Sequence, residues 1–149
     1  GGPSWLIKLM AKVMAQTTTN PCSVSQWAAV AALNGPQAFL KTRAEVFSGR
    51  RDLVVGLLNQ VPDIDCMVPD GAFYVYPDCS GLIGRTSAQG QIMRTDTDIA
   101  QAMLREALVA VVPGAAFYGS PNIRISYATD TQTLETACAR IATFCHGVK

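Results

Sequence analysis

Asn122-Ile123-Arg124-Ile125-Ser126-Tyr127-Ala128 alternates, so as an extended strand it puts Ile123, Ile125 and Tyr127 on one face and Arg124, Ser126 and Ala128 on the other. Downstream, Asp130 reads as a helix cap, and Leu134, Cys138, Ile141 and Cys145 recur on one face of a final helix. Upstream, the short apolar run Val109 to Val112 reads as a strand that ends at Pro113-Gly114. It follows a helix carrying Ile99, Met103, Leu104, Ala107 and Leu108, with Asp96 or Thr97 as the expected cap. Residues 77 to 95 are rich in Gly, Ser, Thr and Gln and show no period, the signature of a long loop, and such loops are usually functional or mobile. Before them, Ile64 to Val68 and Ala72 to Tyr76 read as two strands around the turn residues Pro69-Asp70-Gly71.

Further back the texture is helical. From Pro36, the positions Phe39, Val46, Phe47, Leu53, Val54, Leu57, Leu58 and Val61 keep a helical period until Pro62 stops it. Ser23 and Gln26 form a capping-box pattern that opens a helix over Trp27 to Leu33, closed by Asn34-Gly35. Pro3 opens a shorter helix whose Leu6, Leu9, Met10, Val13 and Met14 run up to the polar break Gln16 to Pro21. The order of helices followed by β, β, α, β, β, α predicts an α/β fold: a small sheet covered on one side by helices and entered through one long connecting helix. We divide the chain at 34/35, into a helical segment over residues 1–34 and a small domain over residues 35–149.

The balance of 12 basic and 11 acidic residues, net +1, leaves no electrostatic footprint for nucleic acid or an anionic membrane surface. No apolar run approaches the roughly 20 residues of a membrane-spanning helix. Apolar residues make up 49% and charged residues 15%, a charge-poor composition that suits small molecules and protein partners. The five cysteines include no Cys-x-x-Cys pair and the one histidine is His146, so neither a disulfide framework nor a metal site is indicated, and buried thiols in a reducing cytoplasm are expected.

Arg124 is the residue with the most to explain. A guanidinium within an apolar strand is costly unless a carboxylate meets it. That carboxylate is either an acid of the protein, such as Asp130 or Glu135, or one brought by a ligand, and pattern alone does not decide between them.

The strand from Asn122 to Ala128 resembles the one in fold-type I aminotransferases whose arginine binds the substrate α-carboxylate. Pro113-Gly114-Ala115-Ala116-Phe117-Tyr118-Gly119 is similar to that family's Pro-Gly-x-x-Phe loop, and Asp70-Gly71-Ala72-Phe73-Tyr74-Val75 to its Gly-x-Phe/Tyr strand. Thr17 to Gln26 looks like the segment that follows the cofactor-lysine region in bacterial aspartate aminotransferases, so the resemblance runs in order along essentially the whole chain.

The resemblance implies the C-terminal part of an enzyme dependent on pyridoxal phosphate (PLP). Such an enzyme works as a homodimer and transfers an amino group between an amino acid, aspartate as the family guess, and a 2-oxo acid. Residues 1–34 would then be the tail of its large, PLP-binding domain. Arg124 would hold the α-carboxylate through two parallel hydrogen bonds, and Phe73 would wall the substrate pocket, with Phe73 and Tyr74 divided between core and cleft. Thr19 would reach the cofactor site of the partner subunit, although Thr17 to Thr19 also read simply as a turn and cap. The family's Schiff-base lysine segment, Ser-Lys-x-x-x-Met-x-Gly-x-Arg, is not found, and Lys8, Lys12, Lys41 and Lys149 are poor replacements. No catalytic residue is therefore assigned, and this stretch alone is expected to be inactive and not to bind PLP. The competing reading is a stand-alone carboxylate-binding or regulatory module without catalysis.

Overall fold

The computed structural model describes residues 1–149, which form two compact units, Gly1–Lys41 and Thr42–Lys149. The first holds α1 (Ser4–Thr17), α2 (Ser23–Asn34) and the first residues of α3 (Phe39–Leu58). Neither α1 nor α2 has a buried residue, and Trp27 is 73% exposed. The capping box expected at Ser23 is not formed. The N-cap is Cys22, without a side-chain bond, while the Gln26 amide turns back to donate to the Pro21 carbonyl at 2.8 Å. At the other end Gln37 donates to the carbonyls of Ala32 (2.7 Å) and Gly35 (3.1 Å), serving oxygens that the helix terminus leaves without a partner.

In the second unit a three-stranded antiparallel sheet runs in the order β1 (Tyr74–Val75), β3 (Ile123–Ser126), β2 (Val112–Pro113). Tyr74 pairs with Ser126 and Val75 with Ile125 on one edge of β3, and Val112 pairs with Arg124 on the other. The alternation read from the sequence holds: Ile123, Ile125 and Tyr127 are buried, Arg124 is half-buried and Ser126 exposed. The apolar face packs against Val54, Val55 and Leu58 from the end of α3, Ile99 and Ala102 of α4 (Asp96–Ala102), and Leu134, Cys138, Ile141 and Cys145 of α5 (Thr131–His146). Asp130 caps α5 as expected, accepting from the Thr133 N–H at 2.9 Å.

Four local expectations need correction. The strands are shorter than their β-rich composition suggests. Ile64 to Val68 contributes only an isolated bridge, Asp65 to Asp78, because the side chain of Asn59 takes both the N–H and the carbonyl of Cys66. Residues 109 to 111 lie outside β2. The helix after residue 95 is capped by Thr95, not Asp96 or Thr97: the Thr95 hydroxyl accepts from Asp98 N–H at 3.2 Å, and the Asp98 carboxylate accepts from Thr95 N–H at 3.0 Å. That helix continues as a π turn over Met103–Ala107 and stops at Leu108, which is left-handed at φ 56°. Lastly, α3 ends at Leu58, short of Pro62.

The stretch 77–95 is a loop, but a structured one. Leu82 and Met93 are fully buried, Thr86 and Ile92 form a bridge, and Ser87 donates to Glu106 at 2.6 Å. No helix is long and apolar enough to cross a membrane, and no group of three His, Cys, Asp or Glu side chains is placed to hold a metal.

Candidate carboxylate site

Arg124 sits on the central strand, on the sheet face opposite the core. Its guanidinium lies over two aromatic rings, 4.3 Å from the centroid of Phe117 and 5.1 Å from that of Tyr74. Each position follows from the local fold. Tyr74 pairs with Ser126, two residues along β3 from Arg124, so it is a diagonal same-face neighbour. Phe117 ends the 3₁₀ turn Gly114–Phe117 that leads away from β2, whose Val112 pairs with Arg124 itself. A cation over an aromatic face is worth about 0.5–1 kcal/mol where exposed, so the two rings help to hold the guanidinium in place.

No carboxylate of this chain forms an ion pair with Arg124. Asp130, one of the two acids expected as a partner, spends its oxygens on Thr133, whose side-chain hydrogen bond is the main reason its pKa lies below the usual carboxylate value. Neither it nor Glu135 forms an ion pair with Arg124. Of the two acids the sequence offered as partners, neither reaches the guanidinium.

The turn carrying Phe117 is tightly held. The Gly114 N–H donates to the Asn122 carbonyl at 2.7 Å, and Gly119 N–H to the Gly114 carbonyl at 3.0 Å. The Tyr76 hydroxyl lies 2.8 Å from the Gly119 carbonyl oxygen and 3.2 Å from that of Gly114. Burial is the main cause that raises the Tyr76 pKa, with Asp96 adding to the rise and Arg124 opposing it. Asp96, only 1% exposed, accepts from the Ala115 N–H at 2.8 Å.

Phe73 and Tyr74 do not divide between core and cleft. Both are exposed, at 54% and 36%, and their rings meet edge-on at 5.7 Å. The left-handed Ala72, at φ 66°, turns the chain just before them, and the alternation starts only at Val75. Tyr74, not Phe73, lies against Arg124; Phe73 reaches the site through Tyr74. Thr19 is exposed and left-handed at φ 63°, with its N–H on the Met14 carbonyl at 2.8 Å, and it belongs to the first unit. Tyr76 was read in the sequence only as part of a strand, Asp96 only as a helix cap, Phe117 only as part of a loop motif, and Tyr74 only as sharing core and cleft with Phe73. For Tyr74 the signal was available, since any register that pairs it with Ser126 brings it to Arg124.

Residues 1–141 match the family described as aminotransferase class I and II. The chain is 55% identical over 147 residues to the aspartate/prephenate aminotransferase of Cereibacter sphaeroides, covering 99% of this chain and 37% of that protein. It is 54% identical over 145 residues to an aspartate aminotransferase of Rhizobium meliloti, covering 97% and 35%. The crystal structure of an aspartate aminotransferase from Rhizobium meliloti superposes with a TM-score of 0.86 at 52% identity, over all of this chain and 37% of that one. The aspartate aminotransferase of Thermus thermophilus with maleate gives 0.76 at 35% identity, over 96% and 35%. The chain thus spans a little over a third of the length of these relatives.

Proposed function

Because this chain belongs to the class I and II aminotransferase family, we propose that it is the C-terminal portion of an enzyme that moves an amino group between an amino acid and a 2-oxo acid, and that Arg124 grips their shared α-carboxylate. The observation that carries this is the guanidinium set over Tyr74 and Phe117 with no carboxylate of this chain on it. Both substrate classes present a carboxylate next to the reacting carbon, and one planar fork can bind either through two parallel hydrogen bonds. Fixing both oxygens also fixes rotation about the bond to the reacting carbon, which a point charge cannot do. Maleate in the Thermus relative is itself a dicarboxylate.

In the full enzyme PLP would supply the electron-withdrawing chemistry. These residues do not build its site: Lys8, Lys12, Lys41 and Lys149 are all exposed, and none is a buried amine suited to an imine. What the present residues do is bind and orient the carboxylate. Residues 1–34 belong, on this reading, to the large domain, and Thr19 to a contact with the second subunit of a homodimer. The setting is cytoplasmic, in keeping with four buried free thiols.

The test is Arg124→Lys in the full-length aminotransferase. A single ammonium can keep one of two charge-assisted bonds, each worth about 1.5–3 kcal/mol, so KM for amino and 2-oxo acids is expected to rise roughly 10- to 150-fold. Unchanged saturation curves would refute the assignment.

A further inference from the structure

Asp96 is almost completely buried, yet it does not cap its own helix, because the reciprocal pair Thr95 and Asp98 does that. Burying a carboxylate is unfavourable without strong hydrogen bonding. The close partner of this one is a main-chain amide far away in sequence, Ala115 N–H at 2.8 Å, with the Thr97 hydroxyl at 3.5 Å. Ala115 belongs to the turn Gly114–Phe117, and two residues on, the Phe117 ring lies on Arg124. The opposite side of the same turn is held by the Tyr76 hydroxyl.

We propose that Asp96 is a positioning residue for carboxylate binding: it anchors the Gly114–Phe117 turn through the Ala115 amide, and the turn holds Phe117 against Arg124. Without the anchor, Phe117 has no fixed place, and Arg124 must be ordered by the ligand at the moment of binding. A charged acceptor suits the task, since hydrogen bonds to a carboxylate are about twice as strong as neutral ones, and a buried one admits no competing water. Asp96 touches no substrate atom on this account. The inference rests on the reading that Arg124 binds the substrate carboxylate.

The experiment uses the full-length enzyme and reads KM for the amino acid, the Kd of maleate as a dicarboxylate probe, and the thermal midpoint. Asp96→Ala is expected to weaken both constants about tenfold, the loss of roughly one charge-assisted hydrogen bond. Asp96→Asn keeps an acceptor oxygen for Ala115 and should recover most of that loss. In a Phe117→Leu background, Asp96→Ala should cost little more, because the effect passes through the ring; a merely structural Asp96 would give additive losses. If Asp96→Ala does not fold, Tyr76→Phe loosens the same turn from its other side and should weaken maleate binding in the same direction.

Arg124→Lys run in parallel separates the two claims. Unchanged KM in that variant would defeat the carboxylate reading itself. A raised KM there, with Asp96→Ala and Tyr76→Phe at the wild-type value, or with strictly additive losses beside Phe117→Leu, would overturn the role of Asp96 alone.

Discussion

Replacing Gly114 by alanine adds one methyl group at the point where the turn beside Arg124 is most crowded. The new Cβ would lie 2.5 Å from the Tyr76 hydroxyl and 2.6 Å from the Asn122 carbonyl oxygen, and would also collide with the Gly119 carbonyl oxygen. Gly114 does not have a positive φ, so the cost is crowding and not backbone strain. To make room, the turn must give up the Gly114 N–H bond to Asn122, the Gly119 N–H bond to Gly114, and the single Tyr76 hydroxyl bond shared by the Gly119 and Gly114 carbonyls. At about 1 kcal/mol net for each of these three contacts the loss is about 3 kcal/mol, the upper end of what overpacking costs. All four tyrosines lie in the unit Thr42–Lys149, which also holds Gly114, so urea unfolding followed by tyrosine near-ultraviolet dichroism reports on it, and Gly114→Ala should move that transition to lower urea. Removing the hydroxyl first, with Tyr76→Phe, should lessen the damage. A loss below about 0.5 kcal/mol, the level of an ordinary surface substitution, would refute the reasoning.

Thiol labelling at pH 8 should modify one cysteine quickly, the exposed Cys22, and the other four only after denaturation. Burial raises the Cys66 thiol to about 11 and Cys145 to about 12, so neither holds appreciable thiolate at that pH, and rapid labelling of a second cysteine in the folded chain would contradict this packing. Supplied with PLP, aspartate and 2-oxoglutarate, these residues alone should give no aminotransferase turnover, because all four lysines are exposed. Measurable turnover in a coupled oxaloacetate assay would show that one of them serves as the imine-forming amine.

The parts of the fold legible in the sequence are those with a long repeating period. The final helix was readable because Leu134, Cys138, Ile141 and Cys145 recur on one face and all are buried. The central strand was readable because its alternation spans several residues and keeps the charged position off the core. Elsewhere composition misled. Ile64 to Val68 is apolar enough for a strand, but Asn59 satisfies the Cys66 backbone with its side chain, and no propensity scale carries that information. Asp96 looked like a helix cap because it is an acid near a helix start; which neighbouring hydroxyl completes the reciprocal box is decided by one residue of offset. At the site, Arg124 was legible by its incongruity. Its aromatic neighbours were not, since their arrival depends on strand register and on a turn held by Tyr76 and Asp96, both remote in sequence from Phe117.

A guanidinium over two aromatic faces is also a magnetic probe. Ring currents in Phe117 and Tyr74 shield protons lying over them, so the Arg124 side-chain N–H resonances should fall upfield of those of the chain's solvent-facing arginines. A carboxylate accepting from the same N–H groups deshields them and slows their exchange with water. Occupancy of this position would then be visible in the nitrogen-15 spectrum of an isotope-enriched sample through the arginine itself, with no dye or catalytic turnover required.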